Sequence, residues 1–204
     1  EQARRIKSAA EIRSLEFGCE AGEKVIQTIA NTAKVGVLDN EIKTKIWDTL
    51  FLNGCHPSSM LIYSSGKDVT HAGRISIMQQ KPLESGDVIL TEFDARYCGY
   101  KSQFNQPFCV NQPDHEWQEI FDVARESFNN AFNILKPGIT AGQLDEAFLS
   151  PIHKAGYIHV NPCYHGLGAS LEQPIGSYPG QPLYKMDTSL IIESGMVIEF
   201  EPHV

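Results

Sequence analysis

The sequence predicts an α+β fold: a curved, mostly antiparallel sheet with helices packed on one face. Three observations lead there. Helix-type and strand-type patterns follow one another in the order helix, helix, strands, and that order occurs twice. LESGDVILTEF at Leu83–Phe93 is echoed by IESGMVIEFEP at Ile192–Pro202, each with Glu-Ser-Gly, an apolar run and then a glutamate, Glu92 or Glu201. KVGVLDNEI at Lys34–Ile42 is echoed by KPGITAGQL at Lys136–Leu144, each after a long helical pattern. A weaker echo sets HAG at His71–Gly73 beside HGLG at His165–Gly168. Such duplication implies two like halves, about 8–110 and 114–204, packed about a pseudo-twofold axis within one domain spanning 1–204. His71, His165, Glu92 and Glu201 would then meet at a central site.

Each element has its own warrant. Ser8 and Glu11 form an S-x-x-E capping box, and Ile12, Leu15, Cys19, Val25, Ile26 and Ile29 follow on one helical face. Asp39 is placed to cap a second helix, with Ile42, Ile46 and Leu50 at steps of four and Gly54 as its stop. Met60–Ser65 reads as a strand, Lys81–Asp87 as a turn and Val88–Phe93 as a strand. Tyr97–Val110 reads as a hairpin partner or long bent strand, with Pro107 marking an edge or bulge. Asp114 opens a helix through Trp117, Ile120, Val123, Ala124, Ala131 and Leu135, closed by Pro137-Gly138. Thr140 and Gln143 make another capping box before Leu144, Ala147 and Phe148, and Pro151 is expected to kink or break that helix. Val160–Leu167 and Leu190–Glu201 read as strands, and Gln173–Met186 as an ordered loop near the site. The chain opens into a helix start and stops just after a strand pattern. A C-terminal strand and an N-terminal domain are therefore expected outside it.

Composition narrows the function classes. A net charge of −8 argues against nucleic acid as a partner, since phosphate binding needs a basic surface. No apolar run reaches the roughly 18 residues of a membrane span, and EQARRIKSAAEI lacks the apolar stretch of a signal peptide. The five cysteines (Cys19, Cys55, Cys98, Cys109 and Cys163) are odd in number and form no CxxC, which suits free thiols in a cytoplasmic protein.

The chemistry-bearing residues follow from strand alternation. Residues two apart share a face, so Glu92 pairs with Asp94 and Glu199 with Glu201. Clustered carboxylates are costly unless they bind a cation, share protons or meet a cationic substrate. A surface pair with Arg96, Arg74 or a lysine is the plainer account of Glu92 or Glu199 alone; it suits Glu201, between Phe200 and Pro202, less well. His165 leads HGLG, whose glycines permit close backbone approach, and His71 is similarly followed by Ala72-Gly73. A neutral imidazole can bind metal, accept a proton or donate to an oxyanion. His56, His115, His153 and His159 lack such context, while His203 follows the Glu201 strand.

From about Arg5 to Val204 the chain resembles the pita-bread hydrolases, the superfamily of methionine aminopeptidase, aminopeptidase P (proline dipeptidase included) and creatinase. The matching segments are His71, GDVILTEFD at Gly86–Asp94, GYKSQ at Gly99–Gln103, HGLG at His165–Gly168 and GMVIEFEP at Gly195–Pro202. Peptidases of that superfamily hold two metal ions with two aspartates, a histidine and two glutamates. The resemblance maps the first aspartate to Glu92, the second to Gln103, the histidine to His165 and the first glutamate to Glu201; the second glutamate would lie beyond Val204. Asp94 replaces a family glycine, and Leu171 or Glu172 stands at the place of a second family histidine.

A neutral Gln103 removes a charge that two close cations would need, which makes a dinuclear site improbable. Three readings follow. The first is a metal-poor, creatinase-like hydrolase of a C–N bond in a small cationic amide or amidine, or in a peptide. Here His71, Glu92, His165 and Glu201 would be catalytic, and Asp94, Gln103 and Glu199 would bind substrate. The second is an Xaa-Pro-type metallopeptidase relative with a mononuclear site. The third is a catalytically silent domain that binds a peptide or protein. No cofactor is expected under the first reading; a single divalent ion (Mn, Zn, Fe or Co) would sit among Glu92, Asp94, His165 and Glu201. Expected partners are a small-molecule or short-peptide substrate and, as one option, a second copy in a homodimer, with no nucleic acid and no membrane.

Overall fold

The computed structural model describes residues 2–66, 80–159, 162–169 and 187–204. Its elements run α1 (Gln2–Arg5), α2 (Ala9–Thr32), α3 (Asp39–Leu52), β1 (His56–Gly66), β2 (Val88–Tyr97), β3 (Tyr100–Cys109), α4 (His115–Ile134), α5 (Ala141–Lys154), β4 (Tyr164–Gly166) and β5 (Ile198–Phe200). The fold is α+β, and every strand pair among the described residues is antiparallel. The chain forms two compact units: Arg13–Asp114, and Glu1–Ile12 together with His115–Val204. The first residues join the second unit through Lys7 N–H, which donates to the Gly195 carbonyl at 2.9 Å. No described helix is long and apolar enough to cross a membrane.

In the Arg13–Asp114 unit, β1, β2 and β3 form one sheet in that order, with β2 central. Alternation along β2 sorts its residues. Ile89, Phe93 and Ala95 join the core with Ala21, Val25 and Ile29 of α2 and Ile42, Ile46 and Leu50 of α3. Each fully buried Val, Ile or Phe in that set contributes about 1.5–3 kcal/mol. Glu92 and Asp94 take the alternate face. The same sorting on β3 turns Ser102 toward α2, where its hydroxyl donates to the Leu15 carbonyl at 2.8 Å. Phe104 joins Ser102 on that side, stacked on Phe93 at 5.2 Å. The β2–β3 turn is the two-residue Cys98-Gly99 with φ of +48° and +87°, the pattern of a type I′ hairpin whose twist matches the strands.

The second unit builds its core from Ala131 of α4, Ala141, Leu144, Phe148 and Ile152 of α5, and Cys163, Tyr164 and Ile192. Phe200 of β5 packs on Phe148 and Tyr164 with ring centroids 6.1 and 5.7 Å apart. β4 and β5 pair with Tyr164 opposite Phe200 and His165 opposite Glu199. Alternation then places His165, Glu199 and Glu201 on the strand face away from Tyr164 and Phe200.

The duplication is visible in backbone bonds, each within its own unit. In the first, Gly36 N–H donates to Leu83 O, Leu83 N–H to Val37 O and Asp39 N–H to Lys81 O, at 2.8–3.2 Å. In the second, Gly138 N–H donates to Ile192 O, Ile192 N–H to Ile139 O and Ala141 N–H to Leu190 O, at 2.8–2.9 Å. An isolated bridge accompanies each set, Leu38 with Pro82 and Thr140 with Ile191. The glycines of the two Glu-Ser-Gly turns, Gly86 and Gly195, have φ of +88° and +89°, a region that favours glycine.

Several local expectations need correction. α2 buries Leu15, Gly18, Ala21, Gly22, Val25 and Ile29, while Cys19 is exposed. Of the three positions missed, Gly18, Ala21 and Gly22, two are glycines because β3 lies so close: a Cβ at Gly18 would come within 2.7 Å of Ser102 Oγ, and one at Gly22 would overlap the Phe104 ring. Asp39 is the first residue of α3, not its cap; the cap position is Leu38, whose N–H donates to Glu41 Oε1 at 3.4 Å. Pro151 does not end α5, which runs to Lys154. Pro151 sits buried in the last turn, where its carbonyl still accepts from Ala155 N–H at 3.0 Å. Among the described residues, the strands expected at Val160–Leu167 and Leu190–Glu201 cover only Tyr164–Gly166 and Ile198–Phe200, and Val160 and Asn161 lie outside the described residues. The second Glu-Ser-Gly turn interrupts Leu190–Glu201. Both capping boxes form: Ser8 with Glu11, and Thr140 with Gln143.

Candidate functional site

The candidate residues fall into two groups, one in each unit. On β2–β3, Glu92, Asp94 and Gln103 are all buried. Asp94 lies opposite Gln103 in the strand register. The Gln103 amide N–H donates to Glu92 Oε1 at 2.9 Å, and the Lys101 ammonium lies 3.2 Å from Asp94 Oδ2. Lys101 and Gln103 alternate onto one face of β3, so the two acids of β2 look across at an ammonium and an amide.

On β4–β5 the group is His165, Glu199 and Glu201. His165 Nε2 lies 3.6 Å from Glu199 Oε2 and 3.5 Å from Glu201 Oε1, and all three side chains are less than a tenth exposed. Glu201 is fixed by its own backbone, whose N–H donates to the Cys163 carbonyl at 2.9 Å. Burial alone would depress the His165 imidazolium. The hydrogen bond with Glu201, the charge of Glu199, the Gly166 carbonyl and the charge of Glu201 outweigh it, and the pKa is pushed up to about 9. For Glu201, burial works upward; the hydrogen bond and charge of His165, with His203 and His159, hold its pKa below the ordinary value. Buried His159 supports this corner, its Nδ1 donating to the His203 carbonyl at 2.9 Å. Cys163 and Tyr164 lie on the core side, where burial and the Asp145 charge push both groups upward.

This second group fits a divalent cation. The three residues each offer one donor atom, and these lie within 4.8 Å of one another. His165 Nδ1 is 2.9 Å from the Gly166 carbonyl, which can only accept, so Nδ1 carries the proton in the neutral ring. The Nε2 lone pair is thereby aimed at the carboxylates, the support by which proteins orient a histidine ligand. One neutral imidazole and two carboxylates carry two negative charges. That nitrogen–oxygen donor set suits zinc, iron, manganese or cobalt.

The ligand set expected from the sequence was Glu92, Asp94, His165 and Glu201. The structure gathers His165 and Glu201 with Glu199, which had been read as substrate-binding. Glu92, Asp94 and Gln103 form the β2–β3 group. His71 and the loop Gln173–Met186 lie outside the described residues. Lys101 and His159 were missed. For Lys101 a signal existed, its position two residues before Gln103 on the same strand face; His159 becomes visible only through its contact with the His203 backbone.

The model of metallopeptidase family M24 matches residues 13–204. An Xaa-Pro dipeptidase of Pyrococcus horikoshii is 28% identical over 201 residues, covering 98% of this chain and 55% of the relative. An Xaa-Pro dipeptidase of Pyrococcus furiosus is 26% identical over 204 residues, covering 98% of this chain and 56% of the relative. The crystal structure of a prolidase from Pyrococcus horikoshii OT3 superposes with a TM-score of 0.84 at 26% identity, covering 98% of this chain and 56% of that one. The chain thus spans about half the length of the curated relatives it matches. Its α+β architecture is the pita-bread fold, and the chain belongs to metallopeptidase family M24.

Proposed function

We propose that the protein is a hydrolase of the Xaa-Pro dipeptidase type. It cleaves the amide C–N bond of a short peptide with the help of one divalent ion held by His165, Glu199 and Glu201. The observation that carries this is the donor set of that group, three buried donor atoms within 4.8 Å of one another. The names of the Pyrococcus relatives supply the substrate class. Together these favour a metal-assisted peptidase over the metal-poor, creatinase-like reading.

When bound, a divalent ion there supplies Lewis acidity toward a carbonyl. The protein's part is to hold the donors. Gly166 fixes the histidine tautomer, and the Cys163 carbonyl fixes the backbone of Glu201. Glu92, held by the Gln103 amide, is proposed as a further acid of the reaction, and His71 as the group that transfers the proton to the leaving nitrogen.

The test is proline release from a panel of Xaa-Pro dipeptides with Mn²⁺, Zn²⁺, Co²⁺ or Fe²⁺ added, in the presence and absence of EDTA. Ion-dependent turnover that His165→Ala abolishes is the expected result. Turnover of amidines or N-methylated amino acids that EDTA leaves intact would restore the creatinase-like reading. Peptide binding without turnover would indicate a silent domain.

A further inference from the structure

We propose that Lys101 is a built-in cation. With the Gln103 amide, its ammonium takes the place of a metal ion in the β2–β3 group and limits the protein to the one divalent ion at His165, Glu199 and Glu201. The inference rests on the single-ion reading above and adds the residue that enforces it.

The argument starts from the strand pair. Glu92 and Asp94 bring two negative charges to one face of β2. Opposite them, β3 presents two N–H donors. The Lys101 ammonium lies 3.2 Å from Asp94 Oδ2, with the lysine side chain 14% exposed and the aspartate fully buried. The Gln103 amide turns its N–H, not its carbonyl, toward Glu92. Glu92 Oε1 and Asp94 Oδ2 are therefore each met by a donor, and one of those donors carries a full positive charge at the place a metal ion would need. An incoming ion has two routes. It can lie beside an ammonium in a buried place, or it can expel that ammonium and leave it there without its partner. Both are costly, because buried charges of like sign repel strongly and a stranded buried charge is not tolerated.

The other strand pair shows the reverse arrangement. Glu199 lies directly opposite His165 in the β4–β5 register, so one strand pair supplies two carboxylates and a histidine that becomes a neutral ligand once it gives up its proton, which a lysine ammonium does far less readily. The family pattern described above has an aspartate where Gln103 stands and a glycine where Asp94 stands. This chain has lost one acid from β3, gained one on β2 and neutralised the gain with a lysine on the adjacent strand.

The experiment counts ions. The protein and its variants are dialysed against Zn²⁺ or Mn²⁺, passed through a desalting column and analysed by plasma mass spectrometry. The wild type is expected to hold one equivalent, Gln103→Asp still one, and Lys101→Met/Gln103→Asp two. Two equivalents in the wild type or in Gln103→Asp, or one in a double variant folded by circular dichroism, overturns the inference. If the double variant does not fold, the wild type decides. The Lys101 ammonium resonance, followed by ¹⁵N NMR with assignment by Lys101→Arg, should persist when the protein is saturated with Zn²⁺; its loss means that the ion displaces the ammonium and the inference fails. Glu199→Gln separates this inference from the reading beneath it. That variant should lose its ion; retention would overturn the His165 centre but not the Lys101 inference, which the double-variant count decides by itself.

Discussion

Raising the pH should destabilise the metal-free protein through one histidine. His165 titrates at about 9 when folded, against an ordinary value of 6.5. A shift of about 2.5 units at 1.36 kcal/mol each is on the order of 3 kcal/mol. The sign follows from the raised folded pKa: the contribution is fully present below about pH 6.5 and is lost as pH climbs through 9. On the acid side Glu201 behaves oppositely. Its folded pKa lies below 4.5, so its contribution is present above that value and is lost as pH falls through the lower one. The cluster therefore stabilises most between roughly pH 5 and 6.5. The assay is urea unfolding in EDTA at pH 6, 7.5 and 9.5, for the wild type and for His165→Gln. The difference in unfolding free energy between the two should shrink by on the order of 3 kcal/mol from the lowest pH to the highest. A difference that stays constant across that range would refute the ion-pair account of His165.

Three further outcomes follow from the structure. Gly22→Ala places a methyl group against the Phe104 ring, so it should cost about 1–3 kcal/mol and lower Tm by about 2–4 °C per kcal/mol in a thermal melt. An Ellman titration of the native protein should label Cys19 and Cys98 quickly, whereas Cys55 and Cys163, whose thiols burial pushes up, should react only on unfolding. His71→Ala should lower kcat on the best Xaa-Pro dipeptide by about 10²–10⁴ with an unchanged circular dichroism spectrum, the cost of removing a general acid–base group; unchanged turnover would remove His71 from the chemistry.

Much of the fold was legible because it is written twice. The Glu-Ser-Gly and K-x-G turns need glycine for a backbone reason, and positive φ at Gly36, Gly86, Gly138 and Gly195 shows that need being met. Capping boxes are equally local, and both formed. What periodicity could not show was close approach between elements. Gly18 and Gly22 carry no apolar signal, yet they are buried because the absence of a side chain lets β3 lie against α2. Strand length failed for the opposite reason. An apolar run says that a segment is buried, but a ladder also needs a partner, and Leu190–Glu201 has one in β4 only at Ile198–Phe200.

The candidate site was legible as a set of residue types and opaque as a charge balance. Alternation put Glu92 with Asp94 and Glu199 with Glu201 correctly, because a strand has one period and every residue obeys it. Which cation answers which acid is a question of register, and register is set by the turn. Tyr97–Val110 reads from the sequence as a hairpin partner or a long bent strand, and neither reading places the turn. The two-residue Cys98-Gly99 turn pairs Tyr97 with Tyr100, and from there Asp94 must meet Gln103, with Lys101 on the neighbouring diagonal. Cysteine is not a residue that advertises a left-handed turn position, so nothing in the composition pointed to it. The same logic explains Glu199. Its distance from His165 in the sequence says nothing about contact, but β4–β5 pairing sets it opposite, with its Oε2 3.6 Å from His165 Nε2. A ligand list transferred position by position from the family pattern does not include Glu199, which register places opposite His165, or Lys101, which the β2–β3 pairing sets 3.2 Å from Asp94.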